Sequence, residues 1–187
     1  MSFPSDRKGQ KTSWLSILAI SLGATFSLGV LGFIIYARTT FKAYYISSSA
    51  MEPTLQINDR ILANQFAYQS QQPKRGDIIL FLPTETLKQQ NFHDAFTKRV
   101  IGLPGEQIAI AQGKVYINDR PLEENYIVEP PQYDYGPVAI PTNSYFVLGD
   151  NRNNSYDSHY WGFVPQENLI GRVSRIYWPP DRMKQLD

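Results

Sequence analysis

At 187 residues the chain has room for one modest folded domain plus a short appendage, and no more. Its 18 Lys and Arg against 17 Asp and Glu give a net charge of +1, which speaks against a nucleic-acid partner. The absence of cysteine excludes a disulfide framework, a thiol nucleophile and thiolate metal sites.

In chain order, the first 13 residues are too few and too polar to fold on their own. From Thr12 to Ala37 no residue is charged, and Trp14 to Tyr36 is predominantly apolar. At about 1.5 Å per residue, such a run spans a bilayer core of about 30 Å, so residues 14–37 are expected to form a transmembrane helix. A cleavable signal peptide would have an apolar region of only about 7–15 residues. Trp14 and Tyr36 stand at the ends of the run, where aromatic belts form. Arg7, Lys8 and Lys11 precede it and Arg38 and Lys42 follow, a slight bias towards a cytoplasmic N-terminus. The working domain is then 38–187.

The next stretch is Ile46-Ser47-Ser48-Ser49-Ala50-Met51-Glu52-Pro53-Thr54-Leu55. Pro53 fixes its own φ and steers Glu52 away from helix, so the segment is expected to be extended and stiff. A stiff segment can hold a backbone N–H and one small side chain at a fixed point, as an oxyanion site requires. A Ser-rich linker leaving a membrane helix has the same composition.

After Leu55 short strand signals alternate with turns. Strands are expected over 60–66, 78–82, 115–117, 144–148 and 170–178, the last closed by Pro179-Pro180. Gln69 to Gln72 and Leu87 to Phe92 read as surface loops. Tyr126 to Pro141, with four prolines, reads as a long irregular excursion. The fold class is mostly β, a β-rich domain after one N-terminal helix.

A second chemical element is Thr97-Lys98-Arg99-Val100-Ile101-Gly102-Leu103-Pro104-Gly105-Glu106. Most lysines end on a solvated edge. A lysine buried beside Thr97 and the Val100-Ile101 pair would lose pKa by desolvation, and its neutral amine could take a proton from a hydroxyl. The third element is Gly149-Asp150-Asn151-Arg152-Asn153-Asn154-Ser155-Tyr156-Asp157-Ser158-His159. On its own it reads as a polar turn after a strand. His93 and His159 lie in separate loops with no nucleophile motif beside either, so a Ser/His/Asp triad is not expected. No pair of His or carboxylates has metal-ligand spacing, so neither a metal nor a cofactor is expected.

Taken in order, Ser48-Ser49-Ala50-Met51-Glu52-Pro53-Thr54-Leu55, the Lys98 stretch and the Gly149-to-Ser158 stretch resemble the three boxes of type I signal peptidases. These are membrane-bound Ser/Lys endopeptidases that remove signal peptides from exported preproteins after small residues. The resemblance runs from the helix to Trp178 and implies a signal-peptidase catalytic domain. It implies Lys98 as general base, Ser48 as an oxyanion donor beside the backbone N–H of residue 50, and Ser155 as the hydroxyl that orients the lysine. Asp157 would brace the third box. His159, where many members carry Arg, resembles the cyanobacterial and plastid branch and would make the pairing with Asp157 depend on pH near neutrality. Ile46, Met51 and Leu55 would line a shallow pocket for small side chains. The implied partners are signal peptides and the lipid bilayer, with the domain on the far side of a plasma or thylakoid membrane; no oligomeric state is implied.

The departure is at residue 50, where the family carries its nucleophilic serine and this chain carries Ala50. Three accounts follow: a signal peptidase whose serine has been replaced, a native inactive relative that binds signal peptides or partners the active peptidase, or a chain in which Ser49 acts instead. Ser49 is disfavoured because a one-residue shift along an extended segment turns a side chain to the opposite face. The first two expect no cleavage by this chain. A membrane-anchored β-domain that only scaffolds partners would show no pocket at residue 50 and a solvated Lys98.

Overall fold

An apolar run with no charge and no proline becomes helix, and α1 spans Trp14–Thr40. The computed structural model describes residues 14–186, so the tail 1–13 with Arg7, Lys8 and Lys11 lies outside the described residues. Within α1, Ile17–Thr40 is long and apolar enough to cross a membrane. Three of its hydroxyls are satisfied inside the helix: Ser21 donates to Leu18 O, Thr25 to Leu22 O and Ser27 to Gly23 O. That is how polar side chains are tolerated in such a segment.

The chain divides after Thr39, and the rest is a β-rich unit, mostly β as expected. Its strands are β1 (Phe41–Tyr45), β2 (Arg60–Asn64), β3 (Ile78–Phe81), β4 (Phe96–Gly102), β5 (Gln107–Ala111), β6 (Lys114–Ile117), β7 (Arg120–Pro121) and β8 (Tyr135–Ala139). They continue with β9 (Ser144–Leu148), β10 (Val164–Pro165), β11 (Leu169–Trp178) and β12 (Lys184–Gln185), and the short helices α2 (Glu85–Gln89) and α3 (Ser158–Trp161) lie between. The larger sheet runs β1-β2-β11-β3-β4-β9-β10, with β12 beside β11, and the smaller runs β7-β6-β5-β8.

The run Ser144-Tyr145-Phe146-Val147-Leu148 is apolar throughout because β9 is covered on both faces. Tyr145 and Val147 join a core with Ile79, Phe81, Leu87 and Trp161. Phe146 and Leu148 join another with Ile101 and the inward residues Ile108, Ile110 and Val115 of the smaller sheet. The same division falls between Val100 and Ile101 on β4. A third core gathers Ile46, Met51 and Leu55 with Ile61, Val173 and Ile176.

Several expectations are corrected. The Tyr126 to Pro141 excursion is not irregular throughout, since β8 lies within it and pairs with β5. Leu87 to Phe92 is not a plain loop. Thr84 caps α2 by accepting from Leu87 N–H, and Leu87 is fully buried. The chain also re-pairs after Pro179-Pro180, where β12 joins β11. Finally, the Ser-rich box is extended only to Ser48. From Ser49 it curls into turns closed by Glu52 N–H to Ser49 O at 3.0 Å and Leu55 N–H to Met51 O at 2.9 Å.

Candidate active site

Strand β4 carries Lys98 in register with Ile79 of β3, and Arg99 in register with Leu148 of β9. Both basic residues are buried, at 4% and 6% exposure, but they are treated differently. Arg99 forks onto Asp150, Nε to Oδ1 at 2.7 Å and Nη2 to Oδ2 at 2.6 Å, and donates to Gly76 O at 2.7 Å. Lys98 has no salt-bridge partner among the described residues, and its nearest aromatic face is Phe96, 5.8 Å from the amine. Burial pushes the Lys98 amine below its ordinary pKa, and the negative fields of Asp157 and Asp150 offset only part of that.

Residue 50 is fixed from two sides. On one, Ile46, Met51 and Leu55 sink into the same core, while Ile46 N–H donates to Asp59 O and Asn58 N–H to Ile46 O. On the other, the third box holds the turn: Asn151 N–H donates to Ala50 O at 3.1 Å and Asn151 Nδ2 to Ser49 O at 3.2 Å. Asn154 Nδ2 donates to the Ser49 hydroxyl at 3.0 Å. Thr54 is tied to Asp150 through its hydroxyl at 2.5 Å, so the Arg99 ion pair also holds the end of the first box. No backbone carbonyl among the described residues takes the Ala50 N–H.

Gly149 makes this contact between boxes sterically feasible. A Cβ there would collide with the Ala50 carbonyl and the Ser155 hydroxyl, so only glycine lets the three approach. Gly149 N–H donates to Asp157 Oδ2 at 2.9 Å. The other oxygen of Asp157 pairs with His159 Nδ1 at 2.6 Å, and Tyr133 stacks on the imidazole at 4.0 Å. The Ser155 hydroxyl is buried without a hydrogen-bond partner among the described residues, as are the hydroxyls of Tyr133 and Tyr145. An orphaned hydroxyl is costly in a folded interior.

Ile46, Ser48, Ala50, Met51 and Lys98 line one cleft of 470 Å³, with Phe92, Phe96 and Tyr156 on its walls. Ser48 is exposed at its edge, while Leu55 is completely buried behind it and does not reach the cleft. Ser155 lies against Gly149 but lines a neighbouring cleft and not this one, and Asp157 is held by Gly149 N–H and His159. An amine whose pKa is lowered by burial is a better proton acceptor than an exposed one, and a backbone N–H with no carbonyl partner can receive a developing oxyanion. As the chain stands, the side chain of residue 50 in this cleft is a methyl group.

Sequence reasoning missed the roles of Asn151 and Asn154. They lay in the third box, but their partners, about a hundred residues earlier, are known only from the fold. It also missed Phe92, which sits in a stretch whose polar composition reads as surface.

Comparison with known proteins gives the family. Residues 15–178 match the family described as "Signal peptidase, peptidase S26". Over 164 residues the chain is 54% identical to a probable signal peptidase I-2 of Synechocystis sp., covering 88% of this chain and 75% of that protein. It is 51% identical over 172 residues to signal peptidase I of Leptolyngbya laminosa, covering 91% and 82% respectively. It is 36% identical over 155 residues to the chloroplastic thylakoidal processing peptidase 1 of Arabidopsis thaliana, covering 80% of this chain and 46% of that protein. The chain belongs to the type I signal peptidase family, in its cyanobacterial and plastid branch.

Proposed function

We propose that this protein is a membrane-anchored signal peptidase of the Ser/Lys kind that binds the signal peptides of exported preproteins and, with Ala50 at the nucleophile position, does not cut them. The observation that carries this reading is the unpaired, desolvated amine of Lys98 lining the same cleft as residue 50. The anchor is α1, with the N-terminus cytoplasmic and the β-rich unit on the far side.

The remaining residues take their places around Lys98. Ile46 and Met51 wall a shallow pocket that suits the small side chains before a cleavage point. Ser48 and the N–H of residue 50 hold the carbonyl oxygen as it becomes an oxyanion. Ser155 positions the Lys98 amine, and the Asp157–His159 pair braces the turn through Gly149. In the variant Ala50→Ser, Lys98 removes the hydroxyl proton as the oxygen adds to the scissile carbonyl. It then returns that proton to the leaving amine, leaving an ester that water hydrolyses. Ser49 lines the same cleft, and its hydroxyl accepts from Asn154 Nδ2 at 3.0 Å, which ties that side chain to the third box.

The test is preprotein cleavage by purified full-length chain in detergent. The chain as it stands is expected to be silent, Ala50→Ser to be active, and Lys98→Ala in that background to be silent again. Loss of a nucleophile typically costs on the order of a million-fold in turnover, so the contrast is unmistakable. Failure of Ala50→Ser to create activity would turn the reading into that of a binding relative that partners the active peptidase. Cleavage abolished by changing Ser49 would overturn the assignment of residue 50.

A further inference from the structure

The Lys98 cleft has a neighbour. Asn154 and Tyr156 line it and also line a second cleft, again of 470 Å³, shared with Tyr133, His159 and Tyr160. The divide between the two is the turn whose Asn151 and Asn154 hold Ala50 and Ser49. A file of rings crosses this divide. Phe92 stands 5.5 Å from Phe96 and 5.8 Å from Tyr156, Tyr156 stands 5.2 Å from Tyr160, and His159 lies 3.9 Å from Tyr160 and 4.0 Å from Tyr133. Tyr160 is 66% exposed and Tyr156 36%, so both rings present surface to an incoming chain.

The lining has a definite chemistry. No carboxylate lines the second cleft. Of the acids around it, Asp157 and Glu124 have side chains only 0% and 4% exposed and pair with His159 and Arg152, while Glu129 lies outside the lining and accepts from Asn153 Nδ2 at 3.4 Å. The lining is aromatic faces, the amides of Gln132, Asn153 and Asn154, an imidazole, the Ser155 residue and part of Arg152, whose guanidinium is closed on Glu124. Such a surface accepts flat peptide groups by stacking and disfavours no acidic side chain.

We propose that the second cleft binds the stretch of preprotein immediately following the cleavage point, laid extended over Tyr156 and Tyr160 and neutral or acidic in character. This rests on the signal-peptide reading above. Residues before the cleavage point need the small pocket at Ile46 and Met51, which belongs to the first cleft alone. A chain whose reacting carbonyl lies at residue 50 then continues past Asn154 and Tyr156, over the rings.

The chain as it stands suits the test, because nothing is cut during it. Full-length protein in detergent micelles is titrated into two fluorescent peptides, with anisotropy as the readout. One ends, amidated, at the cleavage point; the other continues into the mature sequence with neutral and acidic residues. The longer peptide is expected to bind roughly tenfold tighter, the scale of one or two good ring contacts. Tyr160→Ala is expected to bring it down to the affinity of the short peptide, and Tyr160→Phe, which keeps the ring, to leave the gain in place. Equal binding of the two peptides, or a gain that survives Tyr160→Ala, overturns the second cleft while leaving the signal-peptide reading intact. Failure of either peptide to bind overturns that reading and this one with it.

Discussion

Lys98 and Arg99 are neighbours on β4, equally buried, and the fold treats them in opposite ways. Arg99 is enclosed by Asp150, Thr54 and Gly76 O, and Arg152 nearby is likewise closed on Glu124 at 2.7 and 2.5 Å. Tyr126 lies over the Arg99 guanidinium at 4.1 Å and joins the two pairs into one buried network. Lys98 receives none of this, and burial lowers its pKa. A buried cation with its counter-charge holds a structure, whereas one without is costly, and the role proposed for Lys98 rests on that difference. Burial alone does not tell the two roles apart; the presence of a partner does.

The largest effect that would sharpen this contrast comes from giving the lone amine something to act on. Ala50→Ser should raise cleavage of a preprotein by many orders of magnitude. Its rate should climb with pH through the titration of Lys98, at a pH below the ordinary lysine value of 10.5, and a pH–rate profile measures this. Next comes opening the paired side. Asp150→Ala strands Arg99 and releases Thr54, and should cost about 3–5 kcal/mol in urea unfolding.

Lys98→Met should do the reverse and stabilise. Because the folded pKa is lowered, the protonated lysine opposes folding fully at pH values below the folded pKa. That opposition fades as pH rises to 10.5. The melting temperature should therefore rise by at least about 2 °C at neutral or lower pH, with the gain shrinking in alkaline buffer. A destabilised Lys98→Met would break the comparison. Smallest of all, Asn154→Ala removes a single hydrogen bond to Ser49 and should cost about 0.5–1.5 kcal/mol, seen as a modest fall in the turnover of the Ala50→Ser chain.

The sequence made the chemistry easier to read than the architecture, for a physical reason. Each box is contiguous, and Pro53, Lys98 and the Gly149 turn announce themselves locally. Strands over 78–82, 144–148 and 170–178 were legible because burial on one or both faces writes itself into a short apolar run. Strand β4 was hidden because Lys98-Arg99 interrupts its pattern. Strand β8 was hidden by Gly136 and Pro137, and the burial of Leu87 by polar neighbours in a single-turn helix. The turns at residues 49–55 close on local bonds, but what holds Ser49 and Ala50 in them is the third box, a hundred residues away, which no local pattern records. That Leu55 sits in the core rather than at the cleft is likewise a matter of packing that no local pattern records.

Strands β4 and β9, which deliver Lys98 and lead into Gly149, are covered on both faces, as is β3 between them and the rest of the larger sheet. Segments so enclosed release their amide protons only when a whole domain opens, not by fraying. On warming, an Ala50→Ser chain would keep its catalytic geometry until the β-rich unit melts, and would lose turnover and tertiary order in a single step.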